Sequence, residues 1–298
     1  MSNQFDPRHV RRAFSRAAAS YDAAARLQHE VESRLLESLD YLDDRVPGVV
    51  LDLGCGPARA AALMRERWPR ARVIAMDLAL PMLQQARQRN RWGLRALPGV
   101  QRPLARINAD ARALPLADNS VDVLFCNLCL QWVDDLASVF AGFRRVLKPD
   151  GLLLCSSFGP DTLHELHDAF ARTDKLPHVS SFATIAQFGD ALMHAGFRNP
   201  VLDRDVFRET HDDLPSLMRT LRAMGATNAL SGRRHTLTGK SRFAAASDAY
   251  ARGPDGRLPA TWEVIYAQAW GPAPGAPIRE GGFDVTAIPV SQIPIRRR

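Results

Sequence analysis

The chain has 298 residues, 46% of them apolar and 24% charged, the balance of a globular protein large enough to bury a core without disulfide or metal staples. Its formal charge of +7 is carried almost wholly by arginine, with lysine only at Lys148, Lys175 and Lys240, so genome composition accounts for the skew as well as an acidic nucleic-acid or protein partner does. No apolar run nears the ~18 residues that span a bilayer, and Cys55, Cys126, Cys129 and Cys155 sit in apolar or glycine-rich surroundings, which reads as a reduced cytoplasmic protein.

Residues 8–45 read as one helix, with Leu27, Val31, Leu35, Leu39 and Leu42 on one face and a stop at Val46-Pro47-Gly48. Arg8, Arg11, Arg12 and Arg16 also give this stretch the look of a transit peptide. Val49–Leu53 is a short apolar strand ending in Gly54-Cys55-Gly56-Pro57, and Pro57 suits the first turn of a helix running to Trp68. Arg72–Met76 is a second buried strand, Pro81–Asn90 a helix, 91–103 a loop or short helix, and Leu104–Asn108 a third strand. Val121–Asn127 is a fourth strand, Leu136–Leu147 a helix, Lys148-Pro149-Asp150-Gly151 a turn and Leu152–Ser156 a fifth strand. Strands alternating with helices at this spacing predict a parallel sheet with right-handed crossovers.

Beyond Phe158 helices are expected at 161–172, 183–195, 213–224 and 239–251, with strands near Val201–Phe207 and Thr261–Ala269. A helical insertion between those two strands would lie over the carboxyl ends of the sheet, where open α/β folds bind ligands. From Gly271 the sequence is rich in proline and glycine and is expected to be a loose extension. The resulting organisation is one domain over 1–270, with 1–45 as a helical cap and 208–258 as a helical lid insertion, followed by a tail over 271–298.

Gly54 and Gly56 follow a strand and open a helix, where glycine permits a tight turn and close approach of a ligand to the main chain. Asp77 ends the next strand, at the place where an acid accepts hydrogen bonds from ribose hydroxyls. A dinucleotide fingerprint would need glycine where Arg59 stands. Asp52 would also add negative charge beside a pyrophosphate, whereas it suits the amino group of a methionine moiety. Cys126-x-x-Cys129 lies at a buried strand end without a second pair, and His164 and Asp168, one helical turn apart, lack a third ligand; no metal is expected.

Val49-Val50-Leu51-Asp52-Leu53-Gly54-Cys55-Gly56 resembles motif I of the class I S-adenosylmethionine-dependent methyltransferases. Asp77-Leu78 with Pro81-Met82-Leu83 resembles their motif II, and Asn108-Ala109-Asp110-Ala111 with Leu114-Pro115-Leu116 the stretch bordering adenine. Asp122-Val123-Leu124-Phe125 resembles their fourth strand, and Arg145-Val146-Leu147-Lys148-Pro149-Asp150-Gly151 the turn before the fifth. Ala58 stands where motif I usually has its third glycine. The resemblance implies a Rossmann-like α/β fold with a mostly parallel seven-stranded sheet, helices on both faces, an N-terminal helix and a helical insertion as lid.

A narrower resemblance, to the malonyl-acyl-carrier-protein O-methyltransferases of biotin synthesis, covers the chain to about Trp270. It is carried by Phe14, Ala18-Ala19-Ser20-Tyr21-Asp22 and Leu27-Gln28, by Asn127-Leu128-Cys129-Leu130-Gln131-Trp132, and by Thr162-Leu163-His164-Glu165-Leu166. His178-Val179-Ser180-Ser181-Phe182, Leu217–Ala226 and Thr261-Trp262-Glu263-Val264 complete it. It makes the N-terminal arginines part of a family motif rather than a transit signal.

What this resemblance implies is an enzyme with S-adenosylmethionine bound by Gln28, Asp52, Gly54, Cys55, Gly56, Asp77, Leu78, Met82, Asp110, Ala111, Asn127 and Leu128. The substrate is a malonyl thioester on acidic acyl carrier protein, with no nucleic acid and no membrane involved. Its carboxylate is ionised at neutral pH, so no general base is required. Arg219 is the expected buried cation for it, with Tyr21, Trp132, His178 and Phe182 as pocket walls, and Arg219, Arg222, Arg233 and Arg234 as a patch steering the carrier. The alternative is a relative of the complex I assembly factors that share this pattern and are assigned protein arginine hydroxylation. A nucleic-acid methyltransferase fits less well, since Asn127-Leu128-Cys129-Leu130 replaces the D/N-P-P-F/Y motif of base-amino methylation.

Overall fold

The computed structural model describes residues 4–89, 102–233 and 239–272, with the short strands 278–280 and 283–285. Seven strands form one sheet: β1 (Val49–Leu53), β2 (Arg72–Asp77), β3 (Ala105–Asn108), β4 (Val121–Cys126), β5 (Leu147–Phe158), β6 (Arg198–His211) and β7 (Leu258–Trp270). Their order is β3-β2-β1-β4-β5-β7-β6. The first five pair in parallel, while β7 runs antiparallel to both β5 and β6.

Both faces are covered, which is why the central strands read as largely apolar runs. Successive side chains point to opposite faces. Leu51, Leu53, Leu124 and Leu153 pack with Phe140 and Phe143 of α6 (Leu136–Val146) and Phe188 of α8 (Ile185–His194). Val50, Val123, Phe125 and Leu154 pack with Leu35 of α3 (Arg26–Glu37) and Met64 of α4 (Arg59–Arg67). Leu27, Val31, Leu35, Leu39 and Leu42 are all buried, as their spacing predicts.

The expected single helix over 8–45 is instead α1 (Pro7–Ala17), α2 (Tyr21–Ala24), α3 and a 3-10 turn over Ser38–Leu42. Asp6 caps α1 by accepting from the Arg8 and His9 N–H groups. The breaks are local: Ser20 Oγ donates to the Ala17 and Ala223 carbonyls, and Ala25 leaves helical geometry at φ −87°, ψ 40°. They turn Tyr21 toward the carboxyl ends of the strands.

The Lys148–Gly151 turn lies within β5 rather than before it. Val121 pairs with Leu147 and Val123 with Leu152, so the four residues between bulge out, with Asp150 at φ +55°. The bulge holds the end of β7, because Gly271 N–H donates to the Gly151 carbonyl at 2.8 Å and Asp150 N–H to that of Pro272 at 3.2 Å. A Cβ at Gly271 would fall 2.5 Å from the Lys148 carbonyl oxygen.

α5 (Leu80–Arg89) joins β2 to β3, and past β5 come α7 (His164–Ala171), α9 (Leu214–Ala223) and α10 (Lys240–Ala249). β6 extends to His211, so the segment between β6 and β7 is 212–257, a little shorter than the 208–258 expected. It leaves and re-enters the sheet at the carboxyl pole of the parallel strands, as His211 pairs with Leu258. In the stretch from Gly271, β8 (Ile278–Glu280) pairs antiparallel with β9 (Phe283–Val285), a hairpin where a loose extension was expected. None of the described helices is long and apolar enough to cross a membrane.

Candidate active site

The first crossover builds the centre of the site. Gly54 and Gly56 adopt φ +69° and +51°, and a Cβ at Gly54 would lie 2.6 Å from Cys129 Cβ, so the turn tolerates no larger residue there. Ala58 takes the same left-handed conformation at φ +60° and cannot cap α4 with its side chain. Asp52 does so from the strand: its Oδ2 accepts from the Ala61 N–H at 2.9 Å, satisfying one of the helix's orphan donors.

Two cavities open from this turn and share Tyr21 and Gly54 as walls. The smaller, about 360 Å³, is lined by Gln28, Glu32, Asp52, Cys55, Arg59 and Asn127, among others. Burial pushes the Asp52 carboxyl well up, with Glu32 adding to it and the Ala61 N–H opposing it. Burial likewise pushes up the Cys55 thiol. Arg59 reaches across from α4 to pair with Glu32. Gln28 Nε2 donates to Met224 Sδ at 3.3 Å, while its Oε1 is buried with no hydrogen-bond partner among the described residues. Asn127 Nδ2 donates to the Gln28 carbonyl at 3.1 Å, and its Oδ1 accepts from Ser156 Oγ at 2.8 Å, tying α3 to the ends of β4 and β5.

The larger cleft, about 840 Å³, runs along Asp77, Leu78, Met82, Asp110, Ala111, Leu128 and Trp132, and is closed from above by Phe5, Val10 and Phe14. Asp77 accepts from Gly56 N–H at 2.9 Å and Ala79 N–H at 2.7 Å. Burial pushes its carboxyl up to about 6 in spite of those two donors. Asp110 accepts from both the backbone N–H and the Nε of Arg112, at 3.0 and 2.9 Å, and this arginine holds its carboxyl below the usual range. Burial pushes the Tyr21 hydroxyl up, so it stays protonated and able to donate. Trp132 packs edge-on against Phe5 and Phe14, with centroids 5.9 and 5.4 Å away. Its Nε1 is buried without a partner among the described residues.

All twelve residues expected to hold a cofactor line one cavity or the other, and Tyr21 and Trp132 join them. The other substrate residues do not. Arg219 is exposed: the buried face of α9 carries Leu214, Leu217 and Leu221, and position 219 falls on the opposite side of the helix. His178 is stacked on Phe170 at 4.1 Å and bonded to Asp174 at 2.8 Å, and it lines a separate cavity with Phe182. Arg222 is exposed like Arg219. Arg233 is engaged internally, with the Leu230 carbonyl at 2.9 Å, Asp6 at 3.3 Å and His9 at 3.2 Å. Arg234 lies outside the described residues. Sequence reading missed Glu32, Arg59 and Arg112; the only sign of them was Arg59 standing where a dinucleotide site needs glycine.

A methyltransferase-domain family model matches residues 51–155, the segment that builds the shared turn. A malonyl-acyl-carrier-protein O-methyltransferase of Xylella fastidiosa is 60% identical, over 100% of this chain and 99% of its own length. The chain belongs to the malonyl-acyl-carrier-protein O-methyltransferase family. Another member, from Gallionella capsiferriformans, is 41% identical over 95% of this chain and 99% of its own. The YcgJ protein of Bacillus subtilis shares the fold, with a TM-score of 0.55 and 16% identity over 82% of this chain and 99% of that one.

As in this family, the cofactor is S-adenosylmethionine, and the two cavities fit it. A buried acid and an unmet acceptor on Gln28 answer an ammonium group. A bare backbone at Gly54 admits close approach, and Asp77 keeps free lone pairs for hydroxyl donors.

Proposed function

We propose that the protein transfers the methyl group of S-adenosylmethionine to the free carboxylate of a malonyl thioester on acyl carrier protein, giving the methyl ester used early in biotin synthesis. The observation that carries this reading is the 60% identity along the whole chain to a malonyl-acyl-carrier-protein O-methyltransferase.

Bound S-adenosylmethionine supplies a methyl group on a positively charged sulfur. Asp52 and Gln28 Oε1 hold the ammonium of its methionine moiety, Asp77 the ribose hydroxyls, and Leu78, Met82, Asp110 and Ala111 border the adenine. The acceptor carboxylate is already ionised at neutral pH, so the chain's work is to orient it and keep water out. Tyr21 and Trp132 contribute the donors of the cleft, and residues 1–45 with the 212–257 insertion act as cap and lid. Arg219 and Arg222 belong to a surface that steers an acidic carrier rather than to the interior.

The test is to incubate the protein with S-adenosylmethionine and malonyl-carrier protein and weigh the carrier by intact mass spectrometry. A gain of one methylene unit, absent with acetyl-carrier protein, is the expected result. No gain, with cofactor binding established separately, rejects the substrate and leaves the fold.

A further inference from the structure

The proposed function leaves a third cavity, about 870 Å³, without a role. Phe5 and Val133 line both it and the cofactor cleft. Ser181 and Phe182 line both it and an outer cavity that holds His164, His167 and Lys175. Three cavities thus share walls in sequence. The middle one has Asp134 as the sole ionisable side chain among its described lining, and Asp134 Oδ1 already accepts from the Phe5 N–H at 3.1 Å.

Gln131 lines this middle cavity, on the 3-10 turn Leu130–Trp132 that divides it from the cleft. The residue is 9% exposed. Its Nε2 donates to the Leu128 carbonyl at 2.6 Å, which fixes the orientation of the amide, because the reverse would set two acceptors face to face. Its Oε1 is buried with no partner among the described residues. Leaving such an acceptor unmet is costly, so a bound N–H is what the site lacks.

We infer that this cavity receives the amide-bearing arm of the acyl thioester, with Gln131 Oε1 accepting an amide N–H of that arm. The inference rests on the malonyl-thioester reading above. The chemistry of the three cavities follows that of such an arm: the acyl end beside the unmet Trp132 Nε1, the neutral amide in the middle, and the phosphate end of a carrier's arm beside His164, His167 and Lys175. Asp174 of the outer cavity is engaged with His178. Gln131 is in this account a positioning and specificity residue.

The test uses the full chain and two malonyl thioesters of pantetheine, one natural and one in which an ester oxygen replaces the N–H of the amide nearer the sulfur. The wild type is expected to use the amide three- to tenfold better in kcat/KM, roughly the worth of one hydrogen bond. Gln131→Met is expected to use both alike, at the level of the ester, with S-adenosylmethionine affinity unchanged by calorimetry. The wild-type comparison stands even if the variant folds poorly. Equal use of both by the wild type overturns the inference, as does discrimination that survives in Gln131→Met. Turnover of malonyl-carrier protein but of neither pantetheine thioester overturns it too, since the arm then contributes no recognition. Failure of the wild type on all three substrates instead overturns the function on which it rests.

Discussion

The two cavities that meet at Tyr21 and Gly54 treat the same residue type in opposite ways. In the smaller one Asp52 is 2% exposed, braced by a helix N–H and accompanied by a second acid, Glu32, whose own charge is answered by Arg59. In the larger one Asp110 is partly exposed and already satisfied by Arg112. Asp77 stands between them, half-buried and held by two backbone donors. Removal from water makes a carboxylate costly to ionise and correspondingly strong toward a cation that reaches it. A solvated carboxylate with a partner has little left to offer a ligand. The depth of each acid should therefore rank its effect on cofactor binding.

The largest effect is expected at the closed end. Asp52→Asn should weaken S-adenosylmethionine by about 10- to 100-fold, the worth of a charge-assisted hydrogen bond, as read by calorimetry. The melting temperature should hold or rise, because an amide oxygen still accepts from Ala61 N–H and a buried charge has gone. A parallel fall in affinity and melting temperature would break the comparison by making Asp52 purely a cap.

Asp77 gives an intermediate effect with a pH signature. Its folded value of about 6 lies above the ordinary 3.8, so the folded protein binds this proton more tightly than the unfolded chain does. The stabilisation is therefore greatest in acid and is lost as pH rises from about 4 through 6. Cofactor binding has the opposite slope, since hydroxyl groups donate best to the ionised carboxylate. Affinity should weaken as pH falls below about 6, with proton release on binding there, measured by calorimetry in buffers of different ionisation heat. Asp77→Asn should flatten that step.

At the open end Asp110→Asn should change affinity only two- to threefold, since a partly exposed ion pair contributes about 0–1 kcal/mol. Smallest of all is Ala58→Gly. Relief of the left-handed conformation favours glycine by about 1 kcal/mol, while the lost burial of a methyl group costs about 0.8 kcal/mol and the freer unfolded chain about 0.5 kcal/mol. The melting temperature should move by no more than a few degrees, and a large drop would mean that the Ala58 methyl packs better than its size suggests.

Most residues that line the two cavities were legible because they sit at strand ends or one short turn beyond, where position along the chain nearly determines position in space. Asp52, Gly54 and Asp77 needed only the strand boundaries, while Asp110 and Asn127 came from the family resemblance. The broken N-terminal helix was not legible: neither Ala18–Ser20 nor Ala25 carries glycine or proline, and the bond from Ser20 to the Ala223 carbonyl of α9 is one that only the folded chain supplies. Arg219 failed for a different reason. Its helix was placed correctly, but which face would be buried depended on leucines at 214, 217 and 221, whose spacing was there to read. His178 and Phe182 lie on an irregular segment after α7, where no periodicity reports direction. The turn at Lys148–Gly151 was correctly seen as a departure from regular structure, but pairing on both sides keeps it inside β5.

That bulge has a practical consequence. By gripping Gly271 and Pro272 it fixes where the chain leaves the sheet, at the amino pole of the parallel strands, with both cavities at the other pole. A tether attached beyond Pro272 therefore sets out from the side facing away from the reaction. Anchoring the protein to a solid support through that end would leave its cleft turned toward the bulk solution, open to a substrate as large as a loaded carrier protein.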